Sequence, residues 1–112
     1  MKREKTDTGS IVILTTTVKD KNAAREIANA LFEKKRIGCA QISGPIESLY
    51  RWEGAMESAV EYKLEVKTTS EQAPGLIELI GSLHPYQVPE ILGYPCDLCS
   101  KEYAAWLRQE VA

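Results

Sequence analysis

Ile11-Val12-Ile13-Leu14 runs into Thr15-Thr16-Thr17-Val18, a β-branched stretch with no charged break. Such a run predicts a strand in the middle of a sheet. Beyond Asp20 and Asn22, either of which suits an N-cap, Ala24, Ile27, Ala28 and Leu31 recur at i, i+3, i+4 and i+7. That spacing places four apolar side chains on one helical face. Lys34, Lys35 and Arg36 crowd the expected last turn, where cations suit the helix dipole, and Gly38 offers a stop. Cys39 to Trp52 reads as extended. A strand of that length spans roughly 46 Å, and Gly44-Pro45 predicts a bend or bulge within it. Glu53-Gly54 marks a turn. Val60, Tyr62, Leu64 and Val66 then alternate with Glu61, Lys63, Glu65 and Lys67. The apolar face of this strand should pack on helices, and its charged face should meet solvent or another subunit.

Thr69 or Ser70 opens a second helix, Thr69 and Gln72 having capping-box spacing, although Pro74 disturbs the first turn. Leu76, Leu79, Ile80 and Leu83 form its stripe, and His84-Pro85 ends it. Ile91-Leu92, between Pro89 and Pro95, suits a short edge strand. Ser100 caps a last helix carrying Tyr103, Trp106 and Leu107 on one face. The order is β-α-β-β-α-β plus a terminal helix, the split, ferredoxin-like arrangement of the α+β class. One domain is expected over residues 11–112, behind a flexible polar tail at residues 1–10.

Composition narrows the function. The 112 residues suffice for one domain, and 44% hydrophobic with 27% charged residues fits a packed core under a polar surface. A net charge of -2 argues against sequence-independent nucleic-acid binding, which needs uncompensated Lys and Arg. No apolar run approaches the roughly 18 residues that cross a bilayer, so no membrane partner is expected. Met1 to Ser10 lacks the apolar core of a secretory signal, which gives the expectation of a cytoplasmic protein. The three cysteines are then reduced thiols or metal ligands. One histidine, no Gly-x-Ser-x-Gly and no glycine-rich phosphate loop leave a nucleophile triad without support. The loop Thr17 to Asn22 offers neither Arg nor Gly, which disfavours acylphosphatase-type chemistry. The chain is expected not to be an enzyme.

Ser48-Leu49-Tyr50-Arg51-Trp52-Glu53-Gly54, then Lys67-Thr68, then His84-Pro85-Tyr86-Gln87-Val88-Pro89-Glu90 resemble, in order and spacing, the pattern of the CutA family of divalent-cation-tolerance proteins. Gly38-Cys39-Ala40 and the ending from Tyr103 to Trp106-Leu107 fit it too, so the resemblance covers nearly all of Ile11 to Leu107. It implies a ferredoxin-like fold in a tight homotrimer, an association with tolerance to copper and other divalent cations, and an architecture similar to the PII signalling proteins. Two functions follow: weak binding of copper or another divalent cation, or regulation by an unidentified protein or small molecule held in intersubunit clefts.

Four residues are candidate metal ligands: Cys39, His84, Cys96 and Cys99. Thiolates favour Cu(I) and imidazole serves several metals. Against this, Cys39 also reads as a small buried hydrophobe, and His84 as a group that closes its helix through a hydrogen bond. Cys96-Asp97-Leu98-Cys99 is a lone C-x-x-C without the second pair of a zinc site, and it departs from the CutA pattern. In the expected topology Cys39 and His84 lie at opposite ends of one protomer. Cys39 and Cys96 share an end but sit on opposite sheet edges, roughly 14 Å apart. A thiol-rich metal site is therefore expected between subunits. Tyr50, Trp52, Lys67, Tyr86 and Glu90 are candidates for a ligand cleft between subunits, with packing as the plain alternative. Glu61, Lys63 and Glu65 read as a solvated stripe.

Overall fold

The computed structural model describes residues 11–111; the expected tail at residues 1–10, and Ala112, lie outside the described residues. The elements are β1 (Ile11–Val18), α1 (Lys21–Glu33), β2 (Cys39–Trp52), β3 (Ala55–Thr69), α2 (Ala73–Leu83), β4 (Ile91–Pro95) and α3 (Lys101–Glu110). The sheet runs β2-β3-β1-β4 with every neighbouring pair antiparallel. This is the ferredoxin-like order, with β2 and β4 on opposite edges as the topology predicts.

Alternation assigns the two faces. Val12, Leu14, Val18, Leu64 and Val66 meet Ile27 and Leu31 of α1 and Leu76 and Ile80 of α2 in the main core. Ile11, one residue out of phase, meets Ala104 and Leu107 of α3 in a second cluster. Successive strand side chains point to opposite faces. The last helix therefore crosses the sheet on the side away from α1 and α2.

Local chemistry explains the ends. Asp20 caps α1, its Oδ1 accepting from the Ala23 N–H at 2.7 Å. The helix stops at Lys34, and Lys35 takes φ 55°, so the three cations lie past the last turn rather than in it. Gly38 does not stop the helix. Its N–H donates to the Lys67 carbonyl at 3.1 Å, and a Cβ there would overlap the Leu107 side chain. Thr69 stays in β3, opposite Ile11, so the expected capping box is absent and Gln72 takes the N-cap of α2. Pro74 falls in the first turn, where a missing N–H costs little. Ser100 caps α3, accepting from the Tyr103 N–H at 3.2 Å. The buried face of α3 is Ala104 and Leu107, whereas Tyr103 and Trp106 are exposed. Of the expected face of Tyr103, Trp106 and Leu107, only Leu107 turns inward.

The long hairpin is the feature that builds the site. Trp52 pairs with Ala55 across Glu53 (φ 49°) and Gly54 (φ 83°), the two positive φ values of a type I′ turn. A strand as long as β3 spans about 50 Å, which accounts for the protein's longest dimension of 51 Å. The predicted irregularity at Gly44-Pro45 is a register shift between Ser43 and Ile46. Up to Ser43 the odd residues of β2 stand opposite the odd residues of β3, as in Cys39 with Lys67. From Ile46 onward the even residues do, as in Tyr50 with Glu57. The shift therefore changes which face the rest of β2 presents.

Candidate functional site

That change of phase puts Ser48, Tyr50 and Trp52 on the sheet face that carries Thr17, Glu57 and Glu61. Residues 86–90, between α2 and β4, supply the facing wall. Together they enclose a cleft of about 670 Å³ lined by Tyr50, Trp52, Glu57, Glu61, Tyr86 and Glu90, among others. Four of the five residues expected in a cleft (Tyr50, Trp52, Tyr86 and Glu90) meet there within a single chain, without a second subunit. Lys67 is not among them. It stands opposite Cys39 at the other end of the sheet, its Nζ donating to Gln41 Oε1 at 2.6 Å and to Glu65 Oε2 at 3.2 Å.

A chain of hydrogen bonds sets the cleft's geometry. His84 is buried and its Nε2 lies 2.9 Å from the Thr17 carbonyl. Its Nδ1 accepts from the Tyr86 N–H at 3.1 Å, so the proton is on Nε2 and the ring is neutral. The Tyr86 ring meets the imidazole edge-on, centroids 4.8 Å apart. The Tyr86 hydroxyl donates to Glu61 Oε2 at 2.7 Å. Burial, that hydrogen bond and the Glu61 charge all push the Tyr86 hydroxyl well above its ordinary pKa of 10.0. His84 holds Tyr86, and Tyr86 holds Glu61.

Glu61 is the residue the alternating pattern concealed. Beside Lys63, Glu65 and Lys67 it reads as one more solvated charge, yet only 7% of its surface remains exposed. The cover comes from Tyr86, twenty-five residues away, which no local spacing reveals. Glu57 lies on the same face of β3 as Glu61, and the shift at Gly44-Pro45, which lies in β2, is what brings Tyr50 opposite it.

The thiols gather at the opposite end. Cys39 opens β2, and Cys96 follows β4, its N–H donating to the Ile11 carbonyl at 2.9 Å. Cys96 Sγ lies 3.1 Å from the Leu98 carbonyl. All three cysteines are free and half-buried. The strand order holds Cys39 and Cys96 on opposite edges, as expected, but α3 spans the gap. Tyr103 lies near Cys39 and within electrostatic reach of Cys99; burial first, then these thiols, push its hydroxyl up to about 12. Burial also raises the Cys99 thiol, with Cys96 adding to the effect. Among the described residues no three His, Cys, Asp or Glu side chains converge as a metal site. His84 lies at the other end with both ring nitrogens engaged.

Comparison with known proteins agrees with this architecture. The family model "CutA1 divalent ion tolerance protein" matches residues 12–110. A curated relative, the divalent-cation tolerance protein CutA of Thermus thermophilus, is 40% identical over 87% of this chain and 94% of its own length. Human protein CutA is 34% identical over 90% of this chain, which spans only 56% of that longer protein. The solved structure of the Thermus thermophilus protein superposes with a TM-score of 0.86 at 38% identity, covering 91% of this chain and 99% of that one. A structure titled as the periplasmic divalent cation tolerance protein CutA of Archaeoglobus fulgidus gives 0.87 at 32% identity, covering 91% and 99%. The chain belongs to the CutA family of divalent-cation tolerance proteins.

Proposed function

We propose that this chain serves divalent-cation tolerance as a PII-like regulatory protein, a homotrimer that senses a small molecule in its cleft and catalyses no reaction. The observation that carries the reading is the cleft itself. Its volume of about 670 Å³ lies in the range of small-molecule sites, and it joins aromatic walls to a few fixed polar groups. The one histidine supports the absence of catalysis, since both its nitrogens serve the scaffold. A cytoplasmic setting belongs to the same reading and has support in the free thiols.

A second reading, weak copper binding, has one observation in its favour. Cys39 and Cys99 both lie beside Tyr103 at one end of the molecule. Two measurements separate the readings. Thermal melting against a panel of small molecules of both charge signs should reveal stabilisation lost in Trp52→Ala. A ligand at a hundredfold its Kd stabilises by about 2.7 kcal/mol. Calorimetry of reduced, metal-free protein with Cu(I), Cu(II) and Zn(II) should give weak heats, equal in a variant lacking all three cysteines. Tight copper binding lost in that variant, with a silent melting panel, would replace the regulatory reading with the metal one.

A further inference from the structure

The cleft has a sign. Three carboxylates line it, those of Glu57, Glu61 and Glu90, and no Lys, Arg or His is in the lining. Glu57 and Glu90 stand at exposed positions, but Glu61 is more than nine-tenths buried. One Glu61 oxygen accepts from Tyr86; the other accepts from no described residue. Water reaches that second oxygen, and an incoming donor or cation can take the water's place. Phosphates and other anions are disfavoured by the same charges.

An inorganic divalent cation is a poor match. Calcium and magnesium gather six or more oxygens and zinc four ligands, usually nitrogen or sulfur, and among the described residues no three His, Cys, Asp or Glu side chains converge as a metal site. The volume also exceeds a bare ion's many times over. The remaining wall is aromatic, with Tyr50, Trp52 and Tyr86 around the space. Ring faces attract organic cations through their quadrupole, and more strongly where water is excluded. We infer that the cleft is a site for a small organic ammonium ion, its charge met by the free Glu61 oxygen and its carbon groups by Tyr50, Trp52 and Tyr86. This rests on reading the cleft as a ligand site and adds the charge and class of the ligand.

Trp52 supplies the readout. Of the two tryptophans, Trp106 lies on α3, so Trp106→Phe leaves Trp52 as the sole reporter. That variant is titrated with choline, with methylammonium, and with 3,3-dimethylbutan-1-ol, the uncharged isostere of choline. Choline or methylammonium should shift the emission saturably, at least about tenfold tighter than the alcohol. Adding Glu61→Gln should weaken that binding by about tenfold or more. Tyr86→Phe, which keeps the charge but frees the carboxylate, should weaken it less. Equal affinity for alcohol and cation, binding undiminished by Glu61→Gln, or silence with both cations would each overturn the inference. If Glu61→Gln does not fold, Glu61→Asp, which keeps the charge but draws it back from the cleft, carries the test, and undiminished cation affinity there overturns the inference. A cleft that answers neutral or anionic members of the melting panel but neither cation remains a ligand site without this specificity. A silent panel removes the ligand site itself.

Discussion

The Tyr86 hydroxyl connects the scaffold to the cleft, and its titration reports on that contact. Its folded pKa lies above the ordinary 10.0, chiefly through burial and next through the bond to Glu61. A phenol so shifted holds its proton more tightly in the folded chain. The stability it contributes is complete below pH 10.0 and is lost as pH rises above that value. Melting temperatures measured at rising alkaline pH should therefore fall, and Tyr86→Phe should flatten that limb while costing about 1 kcal/mol near neutrality. An unchanged alkaline slope in Tyr86→Phe would mean that Glu61 is held by something else. At this scale the sequence is legible only where identity alone decides. Tyr50, Trp52, Tyr86 and Glu90 stand out as aromatic or acidic residues in a family-like order, and they do meet. Glu61 does not stand out, because its burial comes from a residue remote in the chain. Lys67 stands out for the wrong cleft, since its position along β3 places it with Gln41 and Glu65.

Among the elements, the β2–β3 hairpin contributes most to the cleft and α3 covers the other end of the sheet, and the two are unequally legible. β3 is visible as alternation, β2 only as an extended run, and the turn as Glu53-Gly54. The change of face at Gly44-Pro45 is not, because a bulge is legible as a composition signal while its effect on phase depends on the partner strand. The Ser100 cap places the terminal helix, but of Tyr103, Trp106 and Leu107, expected on one face, only Leu107 packs inward. Ala104 joins it there, because a helix crossing close to a sheet needs a small residue beneath it. Gly38 supplies the same closeness from the sheet side. Leu107→Ala should therefore cost about 2–5 kcal/mol through the cavity it leaves. Gly38→Ala should cost about 1–3 kcal/mol by overpacking against Leu107. In the Leu107→Ala background the Gly38→Ala cost should largely vanish, since the clashing atoms are gone. Strictly additive melting energies across the four proteins would disprove the contact.

For the whole molecule, the surface of one chain is unfinished. Leu49, Met56 and Val60 on the hairpin and Leu92 and Tyr94 on β4 are all exposed. Both outer strands, β2 and β4, have an edge that no described residue pairs. Isolated exposed apolar residues are ordinary, but a row of them beside open strand edges invites association. Sedimentation equilibrium should thus return about three times the chain mass of 12.5 kDa. A Leu92→Asp, Tyr94→Asp double variant should lower that mass, because both side chains leave the sheet on the α3 face, opposite Thr15 and Ile13. Neither residue lines the cleft. The variant therefore also decides where Trp52 belongs. In the Trp106→Phe background, emission that moves to longer wavelength on dissociation would place the Trp52 ring against a neighbouring subunit. Emission that stays put would keep it on the cleft of its own chain. A wild-type mass equal to one chain would remove the trimer from the proposed function, leaving the cleft, which one chain builds alone, as the unit that acts.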